Sequence, residues 1–331
     1  MVALIALALG LALDPAFVAS TVESLGALIE QEYFDPPVGA EVHAVLRRSL
    51  AEGRYAGADS DGTLARLVNG DLFAATRDKH LNVEARLDIP AQRERSAPQA
   101  EESRAMEVRR SNGGVRAVQI LPGNVGYLDL SSFMRPEEAR EPMATAMRFL
   151  RQADALIVDM RANSGGSPGT VALFISYLLD APDLLLFDIL HRAPLPPDHY
   201  ATEMTPPADR DAKRPVYVLT SANSFSAAEG LPFLLQERHR AEIVGEVTAG
   251  AANAGRPYRV NARFSVTIPN GRIRSAIGGG NWEGAGVTPD VKTTAADALK
   301  TAHARALRVL IDREMPGPWK TTLERLLKMI G

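Results

Sequence analysis

Apolar residues recur every three or four positions between residues 14 and 75, which is the spacing of an amphipathic helix. In the first part of this region they are Val18, Val22, Leu25, Leu28 and Ile29. The sequence Asp35-Pro36-Pro37 interrupts the pattern, which resumes over 42–50 and again over 63–75. Proline ends helices because it lacks the backbone N–H. The pattern therefore predicts three short helices that form a small helical bundle.

From residue 115 onward, short apolar runs typical of buried strands alternate with segments of helical spacing. The predicted strands are 115–120, 125–130, 155–160, 184–190, 216–219 and 242–247, and the predicted helices are 137–152, 171–179, 227–238 and 295–311. We also predict a strand at 81–85 and a β-hairpin at 259–277 that turns at Pro269-Asn270-Gly271. Alternating strands and helices favour a mostly parallel sheet that is covered by helices.

Two polar segments interrupt this order. Residues 90–113 carry few large apolar side chains, and residues 194–207 are rich in proline. The first segment indicates a linker without a core of its own, and the second indicates a surface excursion. The predicted organisation is a helical domain at 1–90, a linker at 91–114 and an α/β domain at 115–331.

The composition excludes several classes of function. With 46% hydrophobic and 23% charged residues, the chain is that of an ordinary globular protein, and its net charge of −3 gives no electrostatic footprint for nucleic acid. The absence of cysteine excludes disulfides, thiolate metal sites and a cysteine nucleophile. The six histidines show no metal-ligand spacing. We therefore expect no metal, no other cofactor and no nucleic-acid partner.

The first residues of the chain leave two interpretations open. Residues 2–13 are almost wholly apolar but too short to span a bilayer as a helix, so no stable membrane insertion is expected. The segment is similar to the apolar part of an export signal, although no basic region precedes it. The alternative is that it begins a buried helix. We expect a periplasmic or secreted protein, with a cytoplasmic one as the alternative.

The segment from Val216 to Gly230 combines a buried strand, a tight turn and the start of a helix. A serine on such a turn lies beside exposed backbone N–H groups and the positive end of a helix dipole. Acyl-transfer enzymes need such a hydroxyl together with donors for the developing oxyanion. The segment offers three candidates: Ser221, Ser224 and Ser226. Each of them could instead be a helix N-cap, since serine is preferred at that position.

Three other places carry candidate chemistry. The turn at 159–166 ends in Gly165 and Gly166, whose N–H groups can point into a cleft, although the turn could also be purely structural. The glycine-rich loop at 280–290 contains Glu283, which could also be an ordinary solvated side chain. His80 precedes an apolar strand, where a lone histidine is more often structural than catalytic.

Taken in order along the chain, these segments resemble the S41 serine peptidase family. The matching motifs are Asp-Lys-His-Leu, Asp-x-Arg-x-Asn-x-Gly-Gly, Thr-Ser-x-x-Ser-Phe-Ser-Ala-Ala-Glu, Gly-Glu-x-Thr-x-Gly and Trp-Glu-Gly-x-Gly-Val-x-Pro-Asp. The resemblance extends over residues 20–305. The family includes C-terminal processing proteases, tricorn-type proteases and interphotoreceptor retinoid-binding-protein modules. The resemblance implies an α/β fold, with a crotonase/ClpP-like β-α spiral core behind a small N-terminal helical-bundle domain.

The resemblance also implies roles for single residues. Ser226 lies where the family has its nucleophile, with Ser224 as the second choice. His80 matches the general base of tricorn-like members, and Glu283 matches the acidic residue that orients this base. The three would form a Ser-His-Glu triad. The residues implied for the oxyanion hole are Ala227 together with Gly165 or Gly166.

One departure from the family pattern selects a branch. C-terminal processing proteases use a lysine base shortly after Gly-Glu-x-Thr-x-Gly, whereas this chain has no lysine between residues 214 and 291. The interval between Val83 and the strand at 115 is also too short for the PDZ domain of those proteases. The chain is therefore most similar to the branch of the retinoid-binding-protein modules, and its base is His80 or there is none.

Two functions from different classes follow from the resemblance. One is a serine peptidase that acts on polypeptide substrates, and the other is a non-catalytic binding module for an apolar ligand, a retinoid or a fatty acid. The presence of Ser226, His80 and Glu283 favours the peptidase. Trp282 could stack on a substrate or pack only its own loop. An acyl-CoA enzyme on the related crotonase fold lacks support, because such enzymes do not need this serine.

Overall fold

The computed structural model describes residues 12–86, 97–204 and 210–330. Apart from its last two residues, the predicted export segment lies outside the described residues. Within the described ranges the helices are α1 (Pro15–Glu32), α2 (Pro36–Ala51), α3 (Asp61–Thr76), α4 (Ala97–Ser111), α5 (Pro136–Leu150), α6 (Pro168–Ser176), α7 (Ala227–Glu237), α8 (Ala298–Arg313) and α9 (Pro318–Ile330). The strands of the same ranges are β1 (Asn82–Ala85), β2 (Val115–Leu121), β3 (Val125–Leu130), β4 (Ala155–Asp159), β5 (Leu185–His191), β6 (Asp198–Ala201), β7 (Val216–Thr220), β8 (Glu242–Gly245), β9 (Ala254–Arg259), β10 (Phe264–Ser275) and β11 (Val291–Lys292).

The described residues group into two compact units. The first unit lies within 1–94, 190–196 and 253–272, and the second within 95–189, 197–252 and 273–331. The first unit thus combines the expected N-terminal helices with two later segments of the chain. Residues 253–272 join it because β10 pairs with β1 in an antiparallel register from Phe264↔Ala85 to Thr267↔Asn82.

Three helices and a small sheet form the first unit. α1 begins after Asp14, whose side chain accepts the Ala16 N–H at 3.0 Å, and α2 begins with Pro36. Proline is tolerated at the first position of a helix because no intrahelical partner awaits its N–H there. The three predicted helices are therefore confirmed, with the break at Asp35-Pro36-Pro37. Their apolar stripes share one core, which includes Val22, Leu25, Ile29, Leu46, Leu64 and Leu72.

The predicted hairpin turn at Pro269-Asn270-Gly271 is wrong. β9 and β10 pair from Arg259↔Ser265 to Ala254↔Gly271, so the turn lies at 260–263 and β10 runs through Pro269. Asn261 closes the turn, because its Oδ1 accepts the N–H groups of residues 263 and 264 at 2.8 and 3.0 Å. The register shifts between Pro269 and Gly271. Such a bulge accommodates a residue that has no N–H for the ladder.

A six-stranded sheet is the centre of the second unit. Its strand order is β11-β8-β7-β4-β3-β2, and every neighbouring pair is parallel except the antiparallel pair β2–β3. All residues of β3, β4 and β7 are buried, as expected for strands covered on both faces. Alternate side chains of these strands pack against α8, and they include Tyr127, Ile157 and Leu219. The predicted α/β architecture is confirmed.

Five of these helices and strands were not predicted, among them the strands β9 and β11. α4 occupies most of the predicted linker at 91–114, β6 lies in the predicted surface excursion, and α9 follows the predicted last helix. From residue 101 onward the side chains of α4 are exposed or only half-buried. A helix of this kind has no apolar stripe for a periodicity search to find. α9 does carry such a stripe, which packs beside α8 through residues 323, 326 and 327.

Candidate active site

Ser226 occupies the turn between β7 and α7. Its backbone has φ 58° and ψ −125°, a conformation that non-glycine residues rarely adopt. Such a conformation costs about 1–3 kcal/mol and persists only where the surrounding structure enforces it. The Ser226 N–H donates to Glu229 Oε1 at 3.0 Å, and the Ser226 carbonyl accepts the Glu229 N–H at 2.8 Å. The predicted strand, turn and helix are confirmed, and Ser226 is half-buried at the sharpest point of the turn.

The other two candidate serines have structural partners. Ser224 is fully buried, and its hydroxyl donates to the Met160 carbonyl at 2.9 Å. The buried Ser221 hydroxyl donates to the Arg161 carbonyl at 2.6 Å. Both hydroxyls therefore fasten the turn after β7 to the end of the neighbouring strand β4. Ser224, the second choice for the nucleophile, is not accessible to a substrate.

The glycine turn after β4 lies against Ser226. β4 and β7 are parallel neighbours, so the turns at their carboxyl ends meet at one edge of the sheet. A Cβ added to Gly165 would lie 2.8 Å from the Phe225 carbonyl oxygen, 2.9 Å from Ser226 Cβ and 3.2 Å from the Ala227 nitrogen. Only glycine allows this approach, and Gly165 also has φ 104°.

Two backbone N–H groups are available beside this turn. Within the described residues, neither the Gly166 N–H nor the Ala227 N–H donates a hydrogen bond to a protein acceptor. The Gly165 N–H, in contrast, donates to Asn163 Oδ1 at 2.8 Å. The expectation that Gly165 or Gly166 serves as a donor is thus narrowed to Gly166, because a side chain already accepts the Gly165 N–H.

Glu283 lies in the same unit, in the loop after β10. Its Oε2 accepts the Ala252 N–H at 2.6 Å, and its own N–H donates to Asn281 Oδ1 at 3.0 Å. The side chain is half-buried rather than solvated. The interpretation of Glu283 as an ordinary surface glutamate is therefore wrong.

Trp282 packs its own loop. The side chain is 3% exposed, and its Nε1 donates to the Ala251 carbonyl at 2.9 Å. Its ring lies 5.3 Å from the Phe233 ring, and a Cβ added to Gly230 would lie 3.1 Å from it. With 3% of the side chain exposed, the structure favours the alternative in which Trp282 packs only its own loop.

Glu229 is a functional candidate that the sequence analysis missed. Its carboxylate is fully buried in the first turn of α7, and its Oε1 accepts the Ser226 N–H at 3.0 Å. Burial raises the pKa of this carboxyl group above its ordinary value, and the donors around it oppose the rise. A detectable signal existed, since a glutamate three residues after a serine at a helix start is a capping box.

His80 belongs to the first unit, between α3 and β1. The buried Asp78 carboxylate holds this loop, because it accepts the His80 N–H at 2.9 Å, the Tyr33 hydroxyl at 3.0 Å and Asn253 Nδ2 at 2.8 Å. Burial lowers the pKa of the His80 imidazole below its ordinary value, and the Asp78 charge opposes the change. The imidazole is therefore neutral at pH 7 and able to accept a proton.

The residues implied by the resemblance are thus distributed over the two units. Ser226, Glu283 and the residues implied for the oxyanion hole lie in the second unit, and His80 lies in the first. In the part of the chain that the structure describes, no three His, Asp or Glu side chains are grouped so that they could hold a metal ion. No helix among these residues is long and apolar enough to cross a membrane.

Two family models match the chain. The model of peptidase family S41 matches residues 124–293, which is just over half of the chain. The model of the N-terminal domain of Peptidase_S41 in eukaryotic IRBP matches residues 8–112. Along the chain the match to the N-terminal domain precedes the match to the peptidase domain, as the order of the sequence motifs predicts.

Several solved structures are similar to this chain. A putative peptidase from Parabacteroides merdae ATCC 43184 has a TM-score of 0.59 at 18% identity, over 88% of this chain and 96% of the other. The tricorn protease has a TM-score of 0.55 at 13% identity, over 95% of this chain and 37% of the other. For the photosystem II D1 C-terminal processing protease the TM-score is 0.51 at 17% identity, over 84% and 93% of the two chains. Identities this low show the fold alone, and they confirm the predicted mixed α/β core with an N-terminal helical region.

Proposed function

This chain belongs to peptidase family S41, and on that premise we propose that it hydrolyses peptide bonds of polypeptide substrates through a Ser-His-Glu triad. Ser226 is the nucleophile, His80 the general base and Glu283 the carboxylate that orients the imidazole. The observation that carries the proposal is the strained backbone of Ser226 beside two N–H groups, those of Gly166 and Ala227, that have no protein acceptor among the residues that the structure describes.

Each residue has one chemical task in this mechanism. Ser226 Oγ attacks the carbonyl carbon of the scissile bond while its proton passes to the neutral imidazole of His80. The oxyanion that forms accepts hydrogen bonds from the Gly166 and Ala227 N–H groups, and each such donor contributes about 10²–10³-fold to the rate. The protonated imidazole then donates the proton to the leaving amine, and water repeats the sequence on the acyl-enzyme.

The environment of His80 supports its role as the base. Its lowered pKa means that the proton acceptor is present at neutral pH without competition from the charged form. The Asp78 carboxylate accepts the His80 main-chain N–H, which fixes the loop rather than the ring. In the proposed mechanism the Glu283 carboxylate orients the ring.

A fluorophosphonate probe tests the proposal, because it forms a covalent bond only with an activated serine. We expect the wild type to be labelled at one site, and Ser226→Ala to abolish both labelling and the cleavage of casein. Ser164→Ala is the matched control, since this serine is exposed in the adjoining turn and has no role in the mechanism. Labelling that survives in Ser226→Ala would remove Ser226 as the nucleophile.

The match of residues 8–112 to the IRBP-type N-terminal domain supports a second candidate, a binding module for an apolar ligand. Stoichiometric binding of retinol or oleate by a wild-type protein that the probe does not label would favour this function. The complete set Ser226, His80 and Glu283 favours hydrolysis, because a binding module needs none of the three.

A further inference from the structure

The Glu229 carboxylate accepts four hydrogen bonds from two segments of the second unit, the turn at Ser226 and residues 248–251. Its Oε1 accepts the N–H groups of Ser226 and Ala251 at 3.0 and 2.9 Å. Its Oε2 accepts the Thr248 hydroxyl and the Gly250 N–H, both at 2.5 Å. The side chain itself is 0% exposed. One buried carboxylate thus joins the turn between β7 and α7, which carries Ser226 and is called the nucleophile turn below, to the segment that follows β8.

The same segment is joined to the loop that carries Glu283. The Ala252 N–H donates to Glu283 Oε2 at 2.6 Å, and Trp282 Nε1 donates to the Ala251 carbonyl at 2.9 Å. The Gly284 N–H donates to the Gly250 carbonyl at 3.0 Å. Residues 248–252 are therefore held by Glu229 on one side and by the Glu283 loop on the other.

We propose that Glu229 is a positioning residue for the reaction, which sets the backbone of Ser226 and the place of the Glu283 carboxylate through this shared segment. The inference rests on the proposed function. Glu229 touches no substrate, and its effect passes through the Ser226 N–H and through residues 248–252.

The donors favour an ionised carboxylate at this position and oppose the effect of burial, which raises the pKa of Glu229. Three of the four partners are backbone N–H groups, which cannot accept a hydrogen bond. The fourth, the Thr248 hydroxyl, accepts the Val287 N–H at 2.7 Å and so directs its proton to Glu229. Glutamine has the same shape but an NH₂ group in place of one oxygen, and in either orientation this group would face an N–H donor. A buried donor without an acceptor costs about 1–3 kcal/mol.

A purely stabilising role makes a different prediction from a positioning role. If Glu229 only stabilises the fold, Glu229→Gln lowers the free energy of unfolding while the folded molecules react normally. If it positions Ser226 and Glu283, the folded molecules themselves react slowly. The binding of the probe is unchanged in both cases, because Glu229 is buried away from it.

The experiment compares kinact and KI for fluorophosphonate labelling, together with the melting temperature. For Glu229→Gln we expect kinact to fall by about 10²-fold, the loss that follows from a misplacement on the scale of 1 Å, while KI changes less than about threefold. Asp188→Asn is the matched control, because Asp188 is also a buried carboxylate of this unit and pairs with Arg274 and His199 at 2.7 Å. It should lower the melting temperature but leave kinact at the wild-type value.

A second pair of variants keeps the inference testable if Glu229→Gln does not fold. Thr248→Val removes one of the four donors and should lower kinact, though less than Glu229→Gln does because three donors remain. Thr248→Ser retains the hydroxyl and should restore kinact. Equal kinact values in the wild type, Glu229→Gln and Thr248→Val would overturn the inference but leave the proposed function standing. A wild type that the probe does not label would instead remove the proposed function itself.

Discussion

Replacing Gly165 with alanine perturbs the geometry beside Ser226 directly. The added Cβ would lie within 3.2 Å of three atoms of the nucleophile turn, the Phe225 carbonyl oxygen, Ser226 Cβ and the Ala227 nitrogen. These atoms belong to the backbone or stand next to it, so no flexible side-chain end can rotate away. The two turns must therefore move apart, and this motion separates Ser226 from the donor at Gly166.

We expect Gly165→Ala to have two separate effects, one on the free energy of unfolding and one on the labelling rate. Gly165 has φ 104°, which alanine adopts at a cost of about 1–3 kcal/mol, and the steric clash adds to this cost, so the free energy of unfolding should fall by more than backbone strain alone would give. Displacing the nucleophile from its donors on the scale of 1 Å should lower the second-order rate constant for fluorophosphonate labelling by about 10²-fold. The second effect is measured per folded molecule and is therefore independent of the first.

A second glycine serves as a matched control that separates the effect of backbone strain from the effect of the steric clash with the nucleophile turn. Gly279 belongs to the same unit and has φ 68°, yet a Cβ added there would meet no atom within 4 Å. Gly279→Ala should lower the free energy of unfolding, as measured by urea denaturation, while its labelling rate stays at the wild-type value. If Gly165→Ala reacts as fast as Gly279→Ala, the close packing of the glycine turn on Ser226 has no part in catalysis.

The remaining predictions concern the first unit. Burial lowers the pKa of His80 in the folded protein, whereas the unfolded chain has the ordinary value of about 6.5. Between these two pKa values the folded protein binds fewer protons than the unfolded chain, so the free energy of unfolding should decrease as the pH falls through this interval. His80→Asn should remove this pH dependence of the free energy of unfolding, as measured by urea titration. The rate of wild-type labelling should fall at acidic pH with a midpoint below pH 6.5, and a midpoint above pH 6.5 contradicts the neutral, buried imidazole. Gly26→Ala should cost about 1–3 kcal/mol in the same titrations, because its Cβ would lie 2.2 Å from His43 Cδ2. Gly70→Ala on α3 meets no atom within 4 Å and should instead stabilise the protein by about 0.5–1 kcal/mol, and a destabilised Gly70→Ala would refute this interpretation.

The sequence predicted those features of the site that depend on local pattern. The strand at 216–219, the turn after it and the helix that begins at Ala227 each have a local signal, and the structure confirms them within one or two residues. The three helices of the first unit were predictable for the same reason, because prolines mark their limits and their stripes are regular.

Features that depend on a distant partner were not predictable from local pattern. A glycine pair after a strand suggests two free N–H groups, but only the structure shows that Asn163 Oδ1 accepts one of them. The role of Glu229 depends on donors some 20 residues further along the chain, which meet it only because β7 and β8 are neighbours in the sheet. In the same way, the bulge at Pro269 depends on the register with β9.

Mapping the fluorophosphonate adduct by peptide mass spectrometry tests the central claim most directly, when it is combined with labelling rates for the wild type and His80→Ala. The account predicts a single adduct on Ser226 and a rate that falls by at least about 10²-fold, the usual contribution of a general base, when the imidazole of His80 is removed. An adduct on another serine, or an unchanged rate in His80→Ala, would contradict it.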